Sequence, residues 1–366
     1  MNARISTTLR QLSAGLIGLV MLPASAADRE LNILNWSELI PQERIDQFAQ
    51  SQQVAMRYDL LDSDEVLETK VLIGNSGYDV VYPSSSFMVR QIQAGGYAKI
   101  DWSKIPNRKN LDPDLLSKLQ THDPKNQFGV PFLWGTDGIL VNVKAVRKIL
   151  GKDANLNSWD LLFNPDVVSK LNACGVSYLD SPSEVFSLML AYLGRDPNSE
   201  KAEDLQAAFA QLKKVRPFVN QVNSSYRDQI AGGDLCVAMA WSGDAGIIRR
   251  MARENKQELD IQYFTPTGQT PIWFTMMGIP KDAPNKAEAH AWINYLLEPS
   301  VASDIANYNS YPTAVGAARA LIDPAITSDT TVYPPQEMIK SFFVFAPIGA
   351  EATKLTTSLW QKLWSR

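Results

Sequence analysis

The sequence predicts an α/β protein of two domains, and three observations carry that prediction. Strand-like and helix-like segments alternate along most of the chain. At 366 residues the chain is too long for one compact unit of usual size. No Pro-, Gly- or Ser-rich linker separates its halves. Alternation of this kind implies a largely parallel sheet with helices on both faces. Two α/β domains without a linker imply that the chain crosses between them more than once.

The elements follow in order. Leu31 to Leu34 reads as a short apolar strand that runs into Asn35-Trp36-Ser37-Glu38. Pro41 opens a helix, where its missing N–H costs nothing, and Ile45, Phe48 and Ala49 share one face. Val54 to Leu60 reads as a strand, Asp64 to Ile73 as a helix, and Tyr78 to Tyr82 as a strand that ends at Pro83-Ser84-Ser85-Ser86. A second alternating block starts with the strand Gly138 to Asn142. Ser158 then caps a helix carrying Trp159, Leu161 and Leu162. Val176 to Leu179 is a strand leading through Asp180 to Glu184 into a helix, Val185 to Leu193. Asp234 to Trp241 is a strand, and Ala245 to Glu254 a helix. Ile272 to Ile279 is a further strand. Ala287 to Leu297 is an amphipathic helix with Trp292, Ile293, Leu296 and Leu297 on one face. The tail closes on Leu359, Trp360, Leu363 and Trp364 at helical spacing.

The first 26 residues read as an export signal. Arg4 and Arg10 make a positive start, Leu12 to Leu22 a short apolar stretch, and Ala24-Ser25-Ala26 a small-residue cleavage point. The expected mature chain is exported and soluble, with 33 basic against 39 acidic residues and a net charge of −6. No basic excess points to nucleic acid. In an oxidising compartment Cys174 and Cys236 are expected to bridge rather than stay as two buried thiols. Closing that loop contributes roughly 3–4 kcal/mol in the chain-entropy picture.

Enzyme signatures are missing. There is no HExxH, GxSxG, SxxK, P-loop or helix-opening GxGxxG, and there are only two histidines. His122 reads as a turn residue and His290 as a surface residue of its helix. No metal site, cofactor or catalytic residue is expected. A secreted glycosidase using two carboxylates is the remaining enzymatic alternative. The chain is instead rich in aromatics, with nine Trp, twelve Tyr and thirteen Phe, and several lie at strand ends beside acids or hydroxyls. Trp36 neighbours Ser37 and Glu38, Trp241 precedes Asp244, Glu184 follows a strand, Trp273 sits beside Phe274, and Tyr311 lies in a polar turn. Ligands of open α/β sheets bind beyond the carboxyl ends of strands. Converging there, these residues would make an aromatic-walled cleft with acidic ends. Such a cleft suits an elongated cation, whose methylenes pack on ring faces and whose ammonium groups meet carboxylates.

Several runs together resemble the bacterial periplasmic putrescine/spermidine-binding proteins. They are Asn35-Trp36-Ser37-Glu38, Tyr82-Pro83-Ser84-Ser85-Ser86-Phe87, Pro131-Phe132-Leu133-Trp134-Gly135-Thr136, Asn157-Ser158-Trp159-Asp160-Leu161, Cys236 to Asp244, Asn294 to Pro299 and Tyr333-Pro334-Pro335. The resemblance spans essentially the whole mature chain. It implies the type 2 periplasmic-binding-protein fold, two lobes that each hold a mixed sheet flanked by helices and close on ligand like a clamshell. It implies lobe 1 over 27–137 with about 270–325, and lobe 2 over 138–269 with about 326–366. It also implies that the cysteine pair is the family's disulfide, and that the protein is monomeric and hands a small cationic amine to an inner-membrane ABC permease.

The resemblance assigns Trp36, Ser37, Ser86, Glu184, Trp241, Asp244 and Tyr311 to ligand contact. Asp244 is its main ammonium partner and Trp36 and Trp241 are ring walls. Glu38, Trp273 and Thr275 complete the expected set, and Thr275 marks a departure. The family usually has an aromatic two residues before an Asp where this chain has Trp273, Phe274 and Thr275, so an acid is missing. It usually has a Tyr where Leu39 follows Glu38, and a Thr where Asp137 stands. The expected ligand is putrescine, cadaverine or spermidine. The alternative keeps the scaffold for an amine with one cationic end, such as a monoamine, an ω-amino acid or an agmatine-like molecule.

Overall fold

The structure is a computed structural model that describes residues 29–256, 259–266 and 270–365. The expected export signal, 1–26, lies outside the described residues. The strands are β1 (Glu30–Trp36), β2 (Ala55–Leu61), β3 (Val80–Val81), β4 (Gly129–Asn142), β5 (Val176–Tyr178), β6 (Gln221–Val222), β7 (Val237–Trp241), β8 (Ile261–Phe264), β9 (Pro271–Gly278) and β10 (Phe343–Val344). They run in the order β2-β1-β3-β9-β4-β7-β5-β6, with β10 beside β9 and β8 beside β4. β1 is parallel to β2 and β3, and β5 is parallel to β6 and β7. The parallel pattern that alternation predicts therefore holds toward the two edges. The centre is antiparallel, because β9 runs against β3 and β4, and β4 against β7.

β4 is the element that the sequence reading shortened. Only Gly138 to Asn142 is expected as strand, yet the strand starts at Gly129 and runs 14 residues. Both of its faces are covered, so every residue from Gly129 to Val141 is buried and no polar alternation marks it. Pro131, inside the strand, has no N–H to give to a neighbour. It is accommodated where the register against β9 slips between Pro131 and Leu133, the kind of irregularity that tolerates a missing N–H.

β4 also divides the molecule. Gly129 to Thr136 pair with β9, and Asp137 to Val141 pair with β7. The buried residues fall into two clusters on either side of that change. One gathers Leu31, Ile33, Val80, Val81, Trp292 and Ile293. The other gathers Ile139, Leu162, Phe163, Val185, Met239 and Trp360. The chain returns to the first cluster between β8 and β9. The tail departs from expectation: Val332, Tyr333 and Phe342 belong to the first cluster, and Ala352, Leu359, Trp360 and Leu363 to the second. The final passage thus falls near 343–351 rather than near 326, because β10 adds parallel to the start of β9 and holds its flank there.

Local chemistry fixes the elements that frame the site. Ser63 caps the helix Asp64–Ile73 by accepting from the Val66 N–H at 3.2 Å, a contact worth about 1 kcal/mol. The helix after β5 is Pro182–Tyr192, so Glu184 lies in its first turn. The helix after β7 is Asp244–Glu254, which puts Asp244 at its first position. His290, expected at the surface, is buried. Its helix, Lys286–Leu296, packs beneath the turn at Trp102–Lys104, and the imidazole Nε2 accepts from the Asp101 N–H at 2.9 Å.

Cys174 and Cys236 form a disulfide across 62 positions, with Cα atoms 5.5 Å apart. Gly175 makes the close approach possible. Its φ is +90°, and a Cβ there would stand 2.2 Å from the Asp234 carbonyl oxygen. The bridge anchors the start of β7, which ends at Trp241.

Candidate functional site

The site grows from three chain segments that meet where β4 changes partners. Thr136 and Gly138 face Tyr263: the Thr136 hydroxyl is 3.1 Å from the Tyr263 hydroxyl, and a Cβ on Gly138 would strike that phenol. Side chains alternate across a strand, so Gly135 and Asp137 face the other way. There Gly135 lies directly under the Trp273 indole, which a Cβ would meet at 2.4 Å. Trp273 is half-buried and packs against Tyr311, with ring centroids 5.6 Å apart.

Tyr311 leads to the second acid. Its hydroxyl donates to Asp244 at 2.9 Å, and its ring lies against Gly243, where a Cβ would clash. Tyr226 donates to the other Asp244 oxygen. Tyr226 Oη also accepts from the Trp241 backbone N–H at 3.2 Å, and the Trp241 indole N–H donates to Glu184 at 3.2 Å. Trp241 packs against both buried clusters. Trp273, Tyr311, Asp244, Trp241 and Glu184 are thus brought together, as a line of rings and acids at the boundary of the two clusters.

The first-cluster residues form the facing side. The Trp36 indole N–H donates to the Tyr82 carbonyl at 2.8 Å, which fixes the ring beside the segment after β3. Ser84 bridges to Thr275 of β9, and its hydroxyl is 3.3 Å from that of Ser86. The Ser84 N–H donates to Asp64 at 2.9 Å. Ser37 is half-buried beside Trp36.

Two expected acids are differently employed. Glu38 sits at φ +60° and turns away to Arg250, at 2.7 Å, and to the Tyr308 hydroxyl, at 2.8 Å. Asp244 accepts from two phenols, and Arg227 Nε stands 3.4 Å from its Oδ1. Both carboxylates therefore already carry a cation of the protein.

Other acids are left without one. Asp137 is fully buried and neither of its oxygens has a hydrogen-bond partner. The Trp273 indole N–H is likewise unpaired, although it is near enough to favour the ionised acid. Burial first, and then the Glu184 charge, push the Asp137 carboxyl well above the usual range. Burial also raises Glu184, against hydrogen bonds from Ser181 and Trp241. Asp64 is pushed up to about 7 by burial, with repulsion from Glu65 and Glu184. The first side and the second thus face each other with carboxyls that disfavour one another's ionisation. Such an arrangement favours a cation between them.

Sequence reasoning missed Tyr226, Arg227 and Tyr308. Tyr226 and Arg227 follow Asn223-Ser224-Ser225, a polar run without periodicity, so nothing in the pattern marks them. Asp64 was legible only as the start of a helix. Among the described residues no group of His, Cys, Asp and Glu is arranged to hold a metal ion.

Comparison with known proteins places this geometry in context. The model of the bacterial extracellular solute-binding proteins matches residues 43–334. The chain is 40% identical, over the full length of both, to the putrescine-binding periplasmic protein SpuD of Pseudomonas aeruginosa. It is 38% identical, again over both full lengths, to the putrescine-binding periplasmic protein PotF of Escherichia coli. Among solved structures, the spermidine/putrescine ABC transporter substrate-binding protein PotD of Streptococcus pneumoniae superposes with a TM-score of 0.73 at 26% identity. That match covers 92% of this chain and 98% of the other.

Proposed function

The chain belongs to the bacterial extracellular solute-binding proteins, and from that premise we propose that it captures a small aliphatic amine of the polyamine class in the periplasm and delivers it to an ABC importer. It is a carrier, not an enzyme. The observation that carries the ligand class is the acidic, aromatic line between the two clusters, where Asp137 and Glu184 have no cation among the groups acting most strongly on them. An ammonium supplies that charge, and the faces of Trp36, Trp241 and Trp273 supply surface for the methylenes beside it.

The mechanism follows from the placement of the residues. Ligand first meets one lobe and is then enclosed by the other, so binding energy that exists only in the closed form drives closure. Trp241 contacts both clusters and is suited to sense that closure. β4 is the continuous strand about which the lobes turn. The closed form then docks on the permease as a monomer. No described helix is long and apolar enough to cross a membrane.

Titration calorimetry of the purified protein with putrescine, cadaverine and spermidine tests the reading. Stoichiometric binding of at least one of them is expected. Heat from none of the three overturns the ligand class.

A further inference from the structure

The charges of the cleft are not where the resemblance puts them. The acid expected to seat an ammonium, Asp244, is saturated: Tyr226 and Tyr311 donate to its two oxygens and the Arg227 guanidinium lies 3.4 Å away. Glu38 is paired with Arg250. Position 275, where the family usually carries an acid, is Thr. The opposite holds at Asp137, where the family usually carries Thr. Its carboxyl is fully buried on the Trp273 side of β4, has no hydrogen bond, and has Glu184 as its charged neighbour. A buried carboxyl left unpaired is costly, and two facing each other more so, unless a cation is brought to them. The Trp273 indole N–H, also buried and without a partner of its own, stands beside this carboxyl and favours its ionised form.

We propose that Asp137, together with Glu184, seats the ligand's ammonium in this protein, while Arg227 neutralises Asp244 so that the cleft seats one cationic end and not two. This rests on the amine-binding reading above and deepens it. The ligand class becomes a primary amine charged at one end, with an uncharged far end beside Tyr311 and Arg227. Charge balance makes the preference: a second ammonium near Asp244 would meet the Arg227 guanidinium, whereas an uncharged end would not.

The test compares putrescine with butylamine, equal in carbon chain and different by one ammonium, on four proteins. The wild type is expected to bind the two amines within about threefold of each other. Asp137→Asn is expected to weaken butylamine at least 30-fold. Asp137→Thr, which installs the residue usual in the resembling family and so preserves the fold, is expected to do the same. Arg227→Gln frees the Asp244 carboxylate and is expected to raise the putrescine-to-butylamine affinity ratio at least tenfold. Butylamine affinity unchanged in both Asp137 variants, or an unchanged ratio in Arg227→Gln, overturns the proposal while leaving amine binding intact. If the wild type binds neither amine nor spermidine, the amine reading itself falls and the proposal with it.

Discussion

Glu38 and Arg250 are joined by a 2.7 Å hydrogen bond, which ties the loop after β1 to the helix after β7. Tyr308 reinforces it by donating to the same Glu38 oxygen, and the guanidinium stacks 4.1 Å above the Tyr308 ring. The helix after β7 sends Ile247 and Met251 into the same first cluster, so the link braces the first-cluster side of the cleft next to Trp36 and Ser37. Burial raises the Glu38 carboxyl, but hydrogen bonds from Arg250 and Tyr308 and the charges of Arg250 and Arg227 outweigh this and hold it below its ordinary value. The contribution is therefore present above about pH 4.5 and is lost as acid protonates Glu38. Because Glu38 is partly exposed, the pair is worth no more than about 1 kcal/mol. Glu38→Gln is expected to speed ligand dissociation about two- to fivefold at low salt, with the difference shrinking at high salt. Stopped-flow fluorescence checks this, and a salt-independent effect would point to lost packing instead.

The raised acids make a second prediction, with the opposite sign. Asp64, pushed up to about 7, and the pair Asp137 and Glu184 keep protons in the folded state that the unfolded chain has already lost. Where the folded state holds more protons, stability falls as pH rises. The ligand-free protein is expected to lose melting temperature progressively between about pH 4 and pH 7. A bound amine pairs with the ionised acids, so it releases protons and flattens that fall. Melting curves with and without ligand at pH 5 and pH 8 check both statements. Calorimetry in two buffers of different ionisation enthalpy reads the released protons directly. A ligand-free protein more stable at pH 8 than at pH 5 contradicts the assignment of the burden to these carboxyls.

Much of this was legible along the chain, and the remainder was hidden for physical reasons. Helical periodicity located Asp64–Ile73 and Lys286–Leu296 to within a residue or two, because each buries one stripe and exposes another. β4 was half-hidden because a strand covered on both faces has no alternation to read. Trp241, Glu184 and Tyr311 were legible because they stand at strand ends or turns beside polar residues. Arg227 was not, since its role depends on an ion pair 17 positions away, Arg227 with Asp244. Asp137 was visible as a departure at one position. What sets it apart is that neither of its buried oxygens has a hydrogen-bond partner in three dimensions, which no one-dimensional pattern contains.

The disulfide yields a stability prediction. Linking positions 62 apart restricts the unfolded chain by about 4 kcal/mol in the loop-entropy picture. The double variant Cys174→Ala with Cys236→Ala, or reduction with dithiothreitol, is expected to lower unfolding free energy by roughly 2–5 kcal/mol. Urea denaturation measures it. Since the bridge anchors the start of β7, the loss is expected to appear first as faster hydrogen exchange in Val237 to Trp241. Uniform exchange change across both clusters would argue that the bridge does not act locally.

Gly135 offers the cleanest probe of the aromatic wall, because it changes no charge and removes no hydrogen bond. A methyl group there would stand 2.4 Å from the Trp273 ring and 2.9 Å from the Ser242 hydroxyl, far inside contact distance. The obstructing atoms are side-chain atoms rather than backbone, so the indole must tilt off β4 while the strand persists. Overpacking of this kind costs about 1–3 kcal/mol. Gly135→Ala is therefore expected to fold, with a melting temperature lowered by several degrees, and to lose ligand affinity at least tenfold as Trp273 leaves its place beside Asp137 and Tyr311. Tryptophan emission is expected to shift with the tilt. Trp273→Leu in the same background separates the causes. If the indole is the wall, removing it relieves the strain and returns stability while affinity stays low. If affinity instead returns with the strain, Trp273 is a spectator and the wall belongs to Trp36 and Trp241 alone.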